Sequence, residues 1–332
     1  MINSKYSRRI IMLALLLLLL ILPVCIKSVY WIHVFISILI MALMSESARI
    51  FNLNGECLMG TAGFMLLGSY SSALLAVNCG LSFWVVLPIG GFFTAAVGFL
   101  LGIPFLRVKS VYFCILTIMT ASIFLYITGY WTSLTGGWDG LQGIPAPSPI
   151  RLFSSTLTFD GDRSYYYLTL AIVAISLAVL YLMEKSRIGM VWEAISESGD
   201  LSEAIGINVH AQKLFVFTVI CFFIGIAGGL FAFFARTLSP STNSGSIFSM
   251  ATSMYVMLYA IIGGKSFFWG PLIGTAIMML IPEFARPLLQ WRPLLNGVLL
   301  IVIYFFMPNG IMGLGTTLPK LFRKTIAVGP KA

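Results

Sequence analysis

Long, continuous runs of apolar residues repeat along the chain and are separated by short polar breaks. Each run holds about 20 residues, enough for an α-helix to cross the ~30 Å apolar core of a bilayer. Apolar and polar positions do not alternate with period two within the runs, so the pattern predicts helices and not barrel strands. We predict ten spans, near residues 10–26, 30–48, 57–77, 83–103, 111–130, 165–182, 213–235, 246–263, 269–286 and 293–307.

The predicted fold is an all-α, polytopic membrane bundle of about ten transmembrane helices, with residues 1–332 forming one domain. The basic, Leu-rich N-terminus resembles a signal peptide, but no small-x-small cleavage site follows it, so we expect an uncleaved first span. The fourth and ninth spans share a Phe-Trp…Pro…Ile-Gly pattern, at 83–90 and 268–274, and run in opposite directions. This echo is compatible with an inverted repeat of five plus five spans. Chance recurrence of residues common in membranes would explain it as well.

Composition and charge agree with a membrane protein: 59% of the 332 residues are hydrophobic, 9% are charged, and the mean hydropathy is +0.99. The formal net charge is +9, but Lys and Arg stand singly between apolar runs, which argues against a nucleic-acid surface. With the N-terminus inside, 14 of the 20 basic residues fall on the inside and 6 on the outside. This bias predicts an N-in, C-in topology. The five cysteines form no CxxC pair, which favours apolar packing over a disulfide framework or a metal site.

Two long polar segments follow from this topology. The segment 131–164 lies outside and is rich in Gly, Pro and Ser, so we expect turns and short elements there. The segment 184–213, here called the coupling loop, lies in the cytoplasm, as does the basic tail 316–332. The coupling loop holds five of the eleven acids of the chain.

The coupling loop carries signals for two short helices. MVWEAISES is compatible with an amphipathic helix, and Asp200 is a candidate cap for a second helix, with Glu203 at the capping-box position. Gly206 stands where a glycine ends a helix. Short helices with an apolar side are suited to docking another protein, whereas the plainer alternative is a solvated connector on the lipid surface.

Several motifs occur in an order that resembles the permeases of ATP-binding-cassette (ABC) importers, specifically the LivM-type branched-chain amino acid permeases. They are SRIGMVWEAISESGDLSEAIGIN in the coupling loop, TGGWDGLQGIP from Thr135, IGG and WGP around residues 262–271, and PNGI from Pro308. The resemblance covers roughly residues 30–315. The chain departs from the family pattern by having no His after the second span, by Lys265-Ser266 in the glycine-rich segment, and by Met307 in place of Arg.

The resemblance implies a permease subunit of a bacterial inner-membrane importer that carries branched-chain amino acids. It also implies a second, related permease, two ATP-binding subunits inside, and a periplasmic or surface-anchored binding protein outside. Urea or short amides are the alternative cargo, and an ion-coupled secondary transporter is a further alternative. The segment that would couple the chain to the ATP-binding subunits comprises Trp192, Glu193, Glu197, Asp200, Leu201, Glu203, Ala204, Ile205, Gly206, Ile207 and Asn208.

No enzymatic site, metal site or cofactor site is predicted. Gly263-Gly264-Lys265-Ser266 lacks the earlier glycine of a phosphate loop, because that position is Tyr259. Glu46 is an intramembrane acid, with Arg49 three residues further on as a helix pair. Small polar side chains are candidates for a path through the bundle, although many such hydroxyls bond their own backbone. With Glu46, the candidate path residues are Thr61, Ser69, Thr117, Thr120, Asn243, Ser246, Ser249 and Ser253.

Overall fold

A computed structural model describes residues 28–108, 110–152, 155–157, 161–241, 246–264 and 267–284, together with positions 20, 22, 23 and 297. Apart from those four positions, the predicted first and tenth spans lie outside the described residues, as do the tail and Asn243. Described helices are α1 (Val29–Leu53), α2 (Thr61–Cys79), α3 (Phe83–Phe105), α4 (Ser110–Tyr130), α5 (Thr132–Thr135), α6 (Asp162–Lys185), α7 (Arg187–Glu197), α8 (Gly199–Ala204), α9 (Val209–Ala235), α10 (Met250–Gly263) and α11 (Gly270–Phe284).

Six of these helices, α1, α2, α3, α4, α6 and α9, are long and apolar enough to cross a membrane. They confirm the helices predicted for the second to seventh spans. At 1.5 Å per residue, α10, with 14 residues, is about 21 Å long and falls short of a ~30 Å apolar core. The structure therefore shortens the eighth predicted span, whereas α11 is described only as far as Phe284.

Helix α9 lies at the centre of the bundle and packs closely against α2 and α3. Glycine makes the α2–α9 crossing possible: a Cβ added to Gly68 would lie 2.4 Å from the Gly225 carbonyl oxygen, and one added to Gly228 would lie 2.2 Å from that of Met65. Close approach of helix backbones through small residues is the usual packing mode in membranes, where lipid supplies no hydrophobic drive between helices. Helix α1 packs against α6, α9, α10 and α11.

The segment between α4 and α6 consists of turns and short elements, as its composition predicts. It contains α5, a 3₁₀ turn at Gly137–Asp139, and a hairpin of two three-residue strands, β1 (Ile150–Leu152) and β2 (Ser155–Leu157). Leu141 pairs with Leu238 through two backbone hydrogen bonds of 2.8 and 2.9 Å. These bonds hold the segment against the chain that follows α9.

Helices α7 and α8 confirm the two short helices predicted for the coupling loop. The predicted cap of α8 is wrong: the cap is Ser198, whose Oγ accepts a hydrogen bond from the Leu201 amide. Ser198 has the extended backbone that a cap needs (φ −158°, ψ 106°), whereas Asp200 already lies in the first helical turn. Its carboxylate still suits the positive end of the helix dipole.

The predicted end of α8 at Gly206 is confirmed. Gly206 has φ +90°, its amide donates to the Glu203 carbonyl (2.9 Å), and the Ile207 amide donates to the Ser202 carbonyl (3.0 Å). This pair of bonds is the Schellman motif, which satisfies the last carbonyls of a helix. In this motif the residue after the helix, here Gly206, adopts a positive φ. The chain then turns into α9, which is capped by the Asn208 side chain.

Candidate functional site

The coupling loop presents an apolar surface formed by α8 and its end. Leu201 is 66% exposed and Ile205 is 71% exposed, and Ala204 is exposed between them. Large apolar side chains so fully exposed, rimmed by charge, are typical of contact surfaces. The exposed polar residues around them, all among those predicted for this segment, are Glu193, Glu197, Asp200, Glu203 and Asn208.

Trp192 faces the bundle and not the surface. Its side chain is 1% exposed, and Ile195 one turn further along α7 is 4% exposed. Gly189 allows α7 to lie close to the end of α6, because a Cβ there would sit 1.9 Å from the Glu184 carbonyl oxygen. Trp192 therefore holds α7 to the bundle, and the exposed apolar residues belong to α8.

The predicted Glu46–Arg49 pair is present and fully buried in α1. Arg49 donates to Glu46 Oε1 from Nε (2.9 Å) and from Nη2 (2.6 Å). Arg49 also forms an ion pair with Glu184 at the end of α6, and its guanidinium lies 5.4 Å from the centre of the Phe268 ring. Burial makes such charges costly unless they are paired, and here one cation serves two carboxylates. The cluster joins α1, α6 and the segment before α11.

A second ion pair joins Glu56, in the turn after α1, to Lys213 in α9, with Nζ and Oε1 2.7 Å apart. Glu56 is 7% exposed and Lys213 is 21% exposed. This pair was not predicted from the sequence. Opposite charge is the one sequence signal that links them, and it cannot by itself select a partner 157 residues away.

Three predicted path residues, Thr61, Thr117 and Ser253, lie at the contacts among α2, α4 and α10, and the Thr117 hydroxyl donates to the Cys114 carbonyl of its own helix (2.9 Å). A Cβ added to Gly60 would lie 2.3 Å from the Thr117 carbonyl oxygen. The Ala62 amide donates to Ser253 Oγ (3.0 Å), so the first turn of α2 is bonded to α10. Within the described residues, Thr61 Oγ1 is buried without a hydrogen-bond partner.

Other predicted path residues have different roles in the structure. Ser69 donates to the Met65 and Gly228 carbonyls and belongs to the α2–α9 contact. Thr120 bonds the Leu116 carbonyl of its own helix (2.7 Å). Ser246 precedes α10, and its carbonyl accepts from Thr252 Oγ1 (3.0 Å). Glu46 lies in the ion-pair cluster.

A cavity of about 170 Å³ lies between the middle of α4 and the start of α10. Helix α10 begins there, capped by Ser249, whose Oγ accepts from the Thr252 amide (3.3 Å). The cavity combines two serine hydroxyls and one tyrosine with apolar and aromatic walls, a lining that suits a small amphiphilic molecule. Its lining residues are Ala121, Ser122, Leu125, Tyr126, Phe248, Ser249 and Met250.

Comparisons with known proteins agree on one family. The model of the branched-chain amino acid transport system / permease component family matches residues 27–308. The high-affinity branched-chain amino acid transport system permease protein LivM of Escherichia coli is 31% identical over 278 residues, which cover 78% of this chain and 64% of LivM. The matched part therefore spans less than two thirds of that relative.

Two further relatives extend the comparison. LivM of Salmonella typhimurium is 30% identical over 291 residues, covering 82% of this chain and 67% of the relative. The probable branched-chain amino acid transport permease protein LivH of Methanocaldococcus jannaschii is 25% identical over 265 residues, covering 75% of this chain and 81% of the relative. No solved structure matches the chain.

Proposed function

Because the chain belongs to the family of branched-chain amino acid transport permease components, we propose that it is the membrane permease subunit of an ATP-driven importer for these amino acids. The observation that carries the proposal is the coupling loop. Two capped helices between long apolar spans expose Leu201 and Ile205, and such a surface suits a protein partner better than water.

We propose that two ATP-binding subunits lie at the cytoplasmic face of the importer, and that α8 and its flanking acids form the surface with which this chain docks to them. A second permease and an external binding protein complete the importer in this proposal. ATP hydrolysis belongs to the docked subunits, and this chain transmits their movement. Trp192 contributes indirectly, because it fixes α7 to the bundle.

The proposed path for cargo runs along the junction of α2, α4 and α10 and includes the cavity. Its hydroxyls and apolar walls match an amino acid with a polar backbone and an aliphatic side chain. A cavity-filling change, Ser122→Leu, should lower uptake while leaving ATPase-subunit binding intact. Ile123→Leu is the matched control, because Ile123 is exposed and does not line the cavity. Equal uptake in both variants would remove the cavity from the path.

We propose that the bundle is an inverted repeat of two five-span halves, and two observations support this proposal. Helix α9 packs on α2 and α3 as α1 packs on α10 and α11. When the halves are aligned on α3 and α11, α1 and α9 are each the second span of their predicted half. Gly90 and Gly274, which occupy matching places in the sequence echo, lie at matching crossings. A Cβ at Gly90 would meet Ser72 of α2 at 2.1 Å, and one at Gly274 would meet the Tyr259 carbonyl of α10 at 2.3 Å. We propose ten spans in an N-in, C-in bundle on this basis.

Reconstitution tests the proposed function. The chain is expressed with the neighbouring ATPase, permease and binding-protein genes, purified as a complex and placed in proteoliposomes. Uptake of radiolabelled leucine, isoleucine and valine is expected only with ATP and the binding protein. Uptake of urea or a short amide in place of these amino acids would establish the alternative cargo. Uptake that needs no ATP and collapses with an ionophore would establish a secondary transporter.

A further inference from the structure

The two ends of the coupling loop are held by ion pairs to one short stretch of chain. Its first residue, Glu184, pairs with Arg49 near the end of α1. Its last residue, Lys213, pairs with Glu56 in the turn that follows α1. The loop therefore leaves the bundle and returns to it at two charged contacts that lie only seven residues apart in the α1 region.

A third contact joins this stretch to the middle of the coupling loop. Gly55, at φ +82°, lies against the end of α7: a Cβ added to it would be 3.4 Å from Ser196 Cα. Ser196 precedes the Ser198 cap between α7 and α8. The turn after α1 thus touches the point where the two loop helices meet.

The same stretch of α1 is bonded to α10. Ser45 Oγ donates to the Val256 carbonyl (3.1 Å), and Asn52 Nδ2 lies 3.1 Å from Met257 Sδ. Helix α10 in turn begins at the cavity. Ion pairs, hydrogen bonds and two rigid helices therefore form an unbroken physical connection from the coupling loop to the cavity, the kind of network through which movement is transmitted.

We propose that residues 45–56 receive the movement of the coupling loop and pass it to α10, with Arg49 and Glu56 as positioning residues. The proposal rests on the proposed function, because an ATPase must drive the loop. The Glu56–Lys213 pair clamps the start of α9 to the turn, and the Arg49–Glu184 pair clamps the end of α6 to α1. When the loop shifts, both clamps carry α1 with it.

Charge exchange at the outer clamp tests the proposal. Glu56→Lys, Lys213→Glu and the double variant are compared with the parent in the complete complex in proteoliposomes, by cargo imported per ATP hydrolysed. Each single reversal should lower this ratio about fivefold or more, the lower end of typical coupling between sites. The double variant should restore most of it. The KM for ATP should stay unchanged, because nucleotide binds in another subunit.

The structure offers a matched control at the opposite end of the same helices. The side chains of His33 in α1 and Asp162 in α6 form a hydrogen bond of 2.9 Å, and both are about half exposed. Asp162→Ala removes this contact between α1 and α6, far from the coupling loop. This variant should keep the parental ratio, and a fall equal to that of Lys213→Glu would overturn the proposal.

Further results would also contradict the proposed role of the Glu56–Lys213 pair. Single reversals with the parental ratio, or a double variant no better than either single one, would overturn the clamp. If a reversed chain fails to accumulate in the membrane, Glu56→Gln and Lys213→Gln replace it, and a parental ratio in both would likewise overturn it. A parent complex that imports no amino acid contradicts the proposed function instead, so the two failures are distinguishable.

Discussion

Gly206 offers a direct test of how the coupling loop ends. A Cβ added there meets nothing within 4 Å, so Gly206→Ala causes no clash, and its whole effect comes from the backbone angle of +90°. An L-residue in the left-handed region costs about 1–2 kcal/mol, which lowers the population of the Schellman motif about 5- to 30-fold. Gly199 supplies the control: its Cβ also meets open space, but its φ is not positive. Gly199→Ala should therefore be neutral or stabilising by about 0.4–1 kcal/mol.

Hydrogen exchange in the purified chain measures the difference. The Gly206 and Ile207 amides, bonded to Glu203 and Ser202, should exchange faster in Gly206→Ala and not in Gly199→Ala. Pull-down of the ATP-binding subunits should also be weaker for Gly206→Ala than for Gly199→Ala, because only Gly206→Ala removes the defined end of α8. Equal exchange in the two variants would refute the reasoning, since only the positive φ separates the two sites.

Three further predictions concern the loop, the topology and the bundle. Ser198→Ala removes the cap of α8 and should destabilise that helix by about 1 kcal/mol, measured as faster exchange of the Leu201 amide. In a background without native cysteines, Ser155→Cys should react with an impermeant label from outside and Ser196→Cys only from inside; the reverse would overturn the topology. Gly68→Val should lower thermal stability in detergent by disrupting the α2–α9 crossing, whereas Gly161→Ala, whose Cβ would meet only Ser164 Oγ at 4.0 Å, should not.

Local features of the coupling loop followed from the sequence because local chemistry sets them. A glycine after a short helix, with polar residues before it, predicts the end of α8 without reference to the rest of the chain. The residue that caps α8 could not be identified from the sequence. Ser198 and Asp200 are both good capping residues, and only the extended backbone at Ser198 decides between them.

The ion-pair partners of the buried charges could be identified only from the tertiary structure. Three-residue spacing predicts Glu46–Arg49, but Glu184 lies 135 residues from Arg49, and Lys213 lies 157 residues from Glu56. The scattered Ser and Thr residues likewise identified candidates for the path but not their positions relative to one another. The fold brought Thr61 and Ser253 to one junction and placed Ser69 against α9 instead.

The sequence by itself determined that the chain is a multi-pass helical membrane protein and where six of its spans lie. Lipid cannot bond the backbone, so long apolar runs must become helices whatever their neighbours are. Only the tertiary structure decided that α10 begins beside a cavity, that Trp192 faces inward, and that the ends of the coupling loop contact α1 and the turn that follows it. These features depend on which helices pack together, and in lipid, packing depends on shape and pairing across the bundle and not on the apolar pattern of any one segment.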